Sequence, residues 1–132
     1  MKISTQIDAF LTFLRACDQQ YHMAVAEEQE TNDLTNDLYH FMEFSDENPD
    51  KLLQMARELV KTRRRRRAAK DAVSELAPLQ DWLLENQPVV RSLEALLGTI
   101  RKVERKNENR IYTPRILSSP PEPKTPKENY SG

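Results

Sequence analysis

Five consecutive arginines, Arg63, Arg64, Arg65, Arg66 and Arg67, stand between Lys61 and Lys70 and form the longest run of a single chemistry in the chain. A guanidinium stays charged in any protein environment and presents a fork of N–H donors matched to a carboxylate or a phosphate. In a helix, successive side chains step about 100° around the axis, so five in a row ring it, and one or two must point at whatever the helix packs against. The run therefore has two possible chemistries. It can bind the phosphates of a nucleic acid together with Lys70 and the later basic residues Arg101, Lys102, Arg105, Lys106, Arg110 and Arg115, with Tyr112 as the aromatic nearest in sequence. Alternatively, it can pair with the protein's own acids.

Other reactive side chains are few and scattered. His22 and His40 are the only histidines, eighteen residues apart, and each has a nearby acid (Asp18, Asp37) at ordinary helical-surface spacing. Cys17, the single cysteine, lies on an apolar stripe with no histidine beside it and reads as a small buried hydrophobe. The paired carboxylates Glu27/Glu28 and Asp33/Asp37 have no pocket-forming loops around them. Gly98 is the one internal glycine and sits within a helical stripe, which excludes a glycine-rich phosphate cradle and suggests a close-packing position or a helix irregularity. No catalytic residue, metal ligand or cofactor is expected, and the chain is not expected to be an enzyme.

The elements that carry these residues are helices. Of 132 residues, 2 are glycine and 8 are proline, the prolines confined to a few boundaries and the tail, which leaves long uninterrupted runs of helix formers. Hydrophobic residues make up 38% and charged residues 31%, a balance suited to amphipathic helices with narrow apolar stripes. The first stripe reads Ile3, Ile7, Phe10, Leu14, Cys17, Tyr21, Ala24, alternating steps of four and three. It fails over Glu27 to Asp33, where a break is possible, and resumes at Leu34, Leu38, Phe41 and Met42. After Asn48-Pro49-Asp50, a cap followed by proline, a second stripe runs through Leu52, Met55 or Ala56, Leu59, the arginines, Ala69, Val73 and Leu76 until Pro78 ends or kinks it. Pro88 opens a third helix with Val89, Leu93, Leu96 or Leu97, Ile100 and Val103. Trp82 reads as a core anchor near Pro78.

Charge is divided unevenly along the chain. Residues 1–50 carry 11 acidic and 2 basic side chains, a balance of −9, and residues 51–132 carry 10 and 18, a balance of +8, so that the net is −1. Folding the first two helices back about a turn near residue 47 sets Phe41 and Met42 against Leu52 and Leu53, Leu38 against Ala56, and Leu34 against Val60. It sets Glu27, Glu28 and Glu30 against Arg67, Arg66 and Arg64. Beyond these, Tyr21 meets Val73, and Cys17 meets Leu76 or Ala77. Two independent interruptions in two apolar stripes thus coincide, which predicts a structural ion network that fixes register and adds little net stability. The outward-facing arginines remain as a solvated or phosphate-binding face.

The expected fold is all-α: a long antiparallel, coiled-coil-like helical hairpin plus a third helix over residues 1–106, followed by an extended, Pro-rich tail over 107–132. Within the tail, Ile111, Tyr112, Ile116 and Leu117 suit a docked linear segment, and residues 118–132 suit a solubilising end. A narrow hairpin leaves Leu11, Phe13, Val25, Tyr39 and Phe44 without cover, so a homo-oligomer is expected. The first residues begin no uninterrupted apolar run, so neither a signal peptide nor a membrane span is expected, and the chain reads as cytoplasmic.

The run from Arg63 to Asp71, Leu76-Ala77-Pro78-Leu79, Leu97-Gly98-Thr99-Ile100-Arg101-Lys102-Val103-Glu104 and Tyr112-Thr113-Pro114-Arg115 resemble uncharacterised small helical proteins of Gram-positive phages and prophages, over roughly residues 50–117. The resemblance implies a phage accessory protein acting in the bacterial cytoplasm and transfers no functional residue. The function expected is that of a helical interaction protein or adaptor with a protein partner, the alternative being a nucleic-acid-binding accessory protein that uses the basic helix 61–70.

Overall fold

The computed structural model describes residues 1–44 and 48–110. Over these the chain forms three α-helices and no strand: α1, Ile3–Phe44; α2, Pro49–Glu85; and α3, Gln87–Glu108. The expected docked segment 111–117 and the residues 118–132 lie outside the described residues, while Arg110 is described and exposed. No helix among the described residues is long and apolar enough to cross a membrane.

Local chemistry explains where the helices begin and end. Asn48 caps α2, its side-chain oxygen accepting from the Asp50 N–H at 3.0 Å, with Pro49 at the first helical position and Asp50 favourably placed at the positive end of the helix dipole. One residue, Asn86, separates α2 from α3. Its backbone N–H and its side-chain amide both donate to the Trp82 carbonyl, at 2.9 and 2.8 Å, and its own carbonyl accepts from Val89 and Val90. Asn86 thus closes one helix and opens the next.

Neither α1 nor α2 ends where its stripe is interrupted. Helix α1 runs without a break through Glu27–Asp33. At its centre Thr31, fully buried, donates its hydroxyl to the carbonyls of Glu27 (2.8 Å) and Glu28 (3.0 Å), so a polar residue sits in the seam with its hydrogen bond satisfied by its own helix. Helix α2 continues through Pro78 to Glu85, so the proline does not end it. A proline removes one backbone donor, and the rest of a long packed helix can absorb that loss.

Both α2 and α3 run antiparallel to α1. Glu27 meets Arg65 and Tyr39 meets Arg63 across α1 and α2, while Lys2 meets Glu108, Ser4 meets Glu104 and Asp8 meets Arg101 across α1 and α3. Helix α2 is the principal partner of α1, α3 lies along its N-terminal part, and α2 and α3 touch each other little. At 42 residues, α1 is about 63 Å long and serves as the common backing for the two shorter helices.

The seam of α2 keeps steps of three and four throughout: Leu52, Ala56, Leu59, Thr62, Arg66, Ala69, Val73, Leu76, Gln80 and Leu83 are all buried or half-buried. The arginine run therefore costs the seam a single position. Leu59 is the more buried of the neighbouring pair, and Val60, expected against Leu34, is exposed.

A larger shift occurs at the start of α1. Ile3 and Phe10, expected in the stripe, are 62% and 47% exposed, whereas Ser4 and Leu11 are buried, Leu11 to 1%. The cause lies in the partner. Beyond the end of α2, α3 approaches α1 from the side of Ser4, Asp8 and Leu11, and the continuation of the α2-facing stripe is left bare. On α3 the same displacement exposes Val89 and Val103, which the spacing had placed inside, and of the alternatives Leu96 and Leu97 it is Leu97 that is buried. Trp82, expected as a core anchor, is 40% exposed.

Candidate interaction surfaces

The geometry of the arginine run follows from helical phase. In an antiparallel pair, residues directly before a seam position on either helix fall on one side of the seam, and residues directly after it fall on the other, because each step turns about 100°. Arg65 precedes the seam residue Arg66, and Glu27 and Glu30 precede Glu28 and Thr31. The three meet on one side. Arg65 reaches Glu27 with Nη2 to Oε1 at 2.7 Å and Nε to Oε2 at 3.4 Å, and Glu30 at 3.7 Å. Hydrogen bonding from Arg65 holds the Glu27 carboxyl below the usual carboxylate range, and Glu27 in turn raises Arg65.

On the other side, Arg63 and Tyr39 each follow a seam residue, and Arg63 Nη1 donates to the Tyr39 hydroxyl at 3.0 Å. Arg66, the one half-buried arginine, donates through Nε to Asn32 Oδ1. The position that must accept an inward guanidinium is therefore satisfied by a neutral amide.

The expected pairing of Glu27, Glu28 and Glu30 with Arg67, Arg66 and Arg64 differs from this geometry. Glu27 and Glu30 converge on Arg65, and among the described residues no ion pair within 4.0 Å involves Glu28, Arg64 or Arg67. The small residues Thr31, Thr62 and Ala69 fill the seam, so the long charged side chains leave along its flanks, and phase rather than sequence order selects the partners. Both members of the Arg65–Glu27 pair keep contact with water, which makes the pair a register mark more than a source of stability.

The basic residues do not gather into one patch. Arg63 to Arg67 lie alongside Glu27 to Tyr39 of α1, whereas Arg101 is paired with Asp8 at 3.7 Å near the start of that helix, about 30 Å away at 1.5 Å per residue. Arg64, Arg67 and Lys70 are exposed, and Val60, Arg63, Arg64, Arg66 and Arg67 together line a shallow hollow on the flank of α2. Arg110 is at the far end beyond α3, and Tyr112 and Arg115 lie outside the described residues.

At the N-terminal end of α1 the contacts are polar. The Ser4 N–H, one of the backbone donors that a first helical turn leaves without an internal partner, donates to Glu104 Oε2 at 3.4 Å, so that α3 caps α1. Hydrogen bonding from Ser4 lowers the Glu104 carboxyl, and Glu108, 2.6 Å from Lys2 Nζ, raises the Lys2 ammonium.

Where the three helices converge, Leu11 and Leu14 of α1, Gln80 and Leu83 of α2, and Val90 and Glu94 of α3 border an open crease of about 390 Å³. The Gln80 side-chain oxygen Oε1 is buried there with no hydrogen-bond partner among the described residues. Sequence periodicity assigned Gln80 no role. The one available signal was its spacing, four residues from Leu76 and seven from Val73.

Cys17 is buried and free, His22 lies 3.4 Å from Asp18, and His40 stacks on Phe44. Among the described residues no group of three His, Cys, Asp or Glu side chains is placed to hold a metal ion. Gly98 is exposed, with nothing within 4 Å of where a Cβ would stand, so it is not a close-packing position.

Among the described residues, two groups of exposed apolar side chains line up across helix pairs. One lies beside the arginines, where Val25 and Tyr39 of α1 share a side of the seam with Leu53 and Val60 of α2. The other is the bare continuation of the α1 stripe, Ile3 and Phe10, beside Leu96 and Val103 of α3. No family model, no curated protein and no solved structure matches the chain.

Proposed function

We propose that the chain is a helical interaction protein that works by binding a protein partner, not by catalysis, as an accessory factor of a phage or prophage in a bacterial cytoplasm. The observation that carries the reading is the side of the hairpin on which Val25, Tyr39, Leu53 and Val60 stand exposed next to Arg63, Arg64 and Arg67. Apolar groups in a row along a helical seam, bordered by guanidiniums, fit an apolar segment of opposite charge. Capture of partners by the tagged chain tests this. A partner retained by the native protein and lost with Leu53→Asp combined with Val60→Asp supports the reading, and equal recovery by both proteins, or by neither, counts against it.

Nucleic-acid binding is the second reading, favoured by the exposed Arg64, Arg67 and Lys70, for which no acidic partner lies within 4.0 Å among the described residues. Four phosphate contacts from this flank would give a log–log salt slope of about −3.6 on duplex DNA. Fluorescence anisotropy with DNA and RNA oligonucleotides measures it. Binding that ignores salt, or survives Arg63→Gln, Arg64→Gln and Arg67→Gln together, excludes this use of the arginines.

A further inference from the structure

The bare stretch of α1 is the place where α2 would continue if it were longer. Ile3 and Phe10 belong to the heptad stripe whose later members, Leu14 and Cys17, are buried. Helix α3 packs against Ser4, Asp8 and Leu11 instead, and its own row of Leu96 and Val103, seven residues apart, stands exposed. Ile3 and Phe10 each directly precede a buried residue of α1, Ser4 and Leu11. Leu96 precedes buried Leu97, and Val103 precedes half-buried Glu104. By the phase rule for antiparallel helices, all four fall on the same side of the α1/α3 pair.

The ion pair and the carboxylate contact of this pair lie elsewhere, and Lys106, three residues beyond Val103, borders the face only at its end. Asp8 is joined to Arg101 and Glu104 is turned to Ser4, both toward the seam or its opposite side, and the residues interspersed on the bare face, such as Gln6 and Thr99, are uncharged. We propose that this face, Ile3 and Phe10 of α1 with Leu96 and Val103 of α3, docks a second copy of the chain, so that α1 and α3 of each copy form a four-helix contact.

Two features favour a second copy over another occupant. At a two-fold contact each group lies near its own kind, so a face with fixed charge repels itself whereas an uncharged apolar face does not. The size also fits. Two helices side by side are about 20 Å wide, and the 22 residues of α3 extend about 33 Å, giving roughly 650 Å² against about 800 Å² per partner for a standard interface. The inference rests on the reading of the chain as an interaction protein and uses a different surface from the arginine flank.

Sedimentation equilibrium of the full chain over the micromolar range tests it. A dimer is expected. Dissociation should become at least about tenfold easier with Leu96→Ala and Val103→Ala combined, a change that substitutes a better helix former at two exposed positions and so leaves α3 intact by circular dichroism. Phe10→Lys should abolish the dimer, while Leu53→Lys with Val60→Lys, on the other surface, should leave it in place. A native protein that stays monomeric across the range, or a dimer that resists both face variants, overturns the proposal. A monomer that still captures a partner through the arginine flank overturns only the second copy, and a monomer that captures nothing overturns the interaction reading with it.

Discussion

Phe10 and Leu11 are neighbours in the chain and opposites in the fold, and the difference should be measurable. Leu11 is enclosed where three helices meet, so Leu11→Ala should cost about 2–5 kcal/mol in urea denaturation, the range for truncating an enclosed leucine. Phe10→Ala, at a position 47% exposed, should cost clearly less when both proteins are compared at a concentration where they are monomeric. Equal losses would mean that Phe10 is as enclosed as Leu11. Gly98 makes the complementary case. It sits in mid-helix with open space around it and no positive φ, so Gly98→Ala should raise stability by about 1 kcal/mol, the helix-propensity difference between the two residues. A loss on that substitution would reveal a close contact at this position.

At the scale of the helices, the two carboxylates that join them make stability depend on pH. Glu27, bonded by Arg65, ties α1 to α2, and Glu104, bonded by Ser4, ties α3 to α1; both carboxyls titrate below their ordinary range. A carboxyl depressed in the folded state contributes stability that is complete above its unfolded value, about 4.3, and that disappears as the pH falls through the folded value. The melting temperature should therefore hold from neutral pH to about pH 5 and fall below it. The combined change Glu27→Gln and Glu104→Gln should lower the neutral plateau and flatten the acid limb. An acid limb unchanged in that variant would place the responsible carboxylates elsewhere. Hydrogen exchange of the first turn of α1 should accelerate with Glu104→Ala alone, since that turn would lose the acceptor supplied by α3.

Over the whole molecule, one long helix backs two shorter ones. Helix α1 owes the cover of its first third to α3, because Lys2, Ser4 and Asp8 all find their partners there. A chain truncated after Asn86 should keep the α1/α2 hairpin, including the Arg65–Glu27 contact, while the first turns of α1 lose protection against hydrogen exchange. Loss of protection spread evenly over α1 and α2 would show that the hairpin does not stand without α3. The same division separates the two candidate surfaces, an apolar flank beside the arginines along the hairpin and an uncharged apolar face on the α1/α3 pair.

The amino-acid sequence by itself determined the all-α class, three helices, the antiparallel pairing of the first two, the capping at Asn48-Pro49-Asp50 and the encounter of the acidic stretch of α1 with the basic stretch of α2. All of these depend on local propensity, on turn chemistry or on a periodicity that runs for tens of residues, and such signals are carried in the chain whatever packs against it. Tertiary structure decided the rest. Whether Phe10 or Leu11 is inside depends on the side from which α3 arrives, and adjacent residues of an amphipathic helix differ in phase by only about 100°. Which arginine meets Glu27 depends on the placement of Thr31 and Thr62 in the seam, since a one-residue change in phase exchanges Arg65 for Arg66. The continuity of α1 through Thr31 and of α2 through Pro78 was settled in the same way. Packing along α1 and α2 outweighs a local break signal that costs only a hydrogen bond or two.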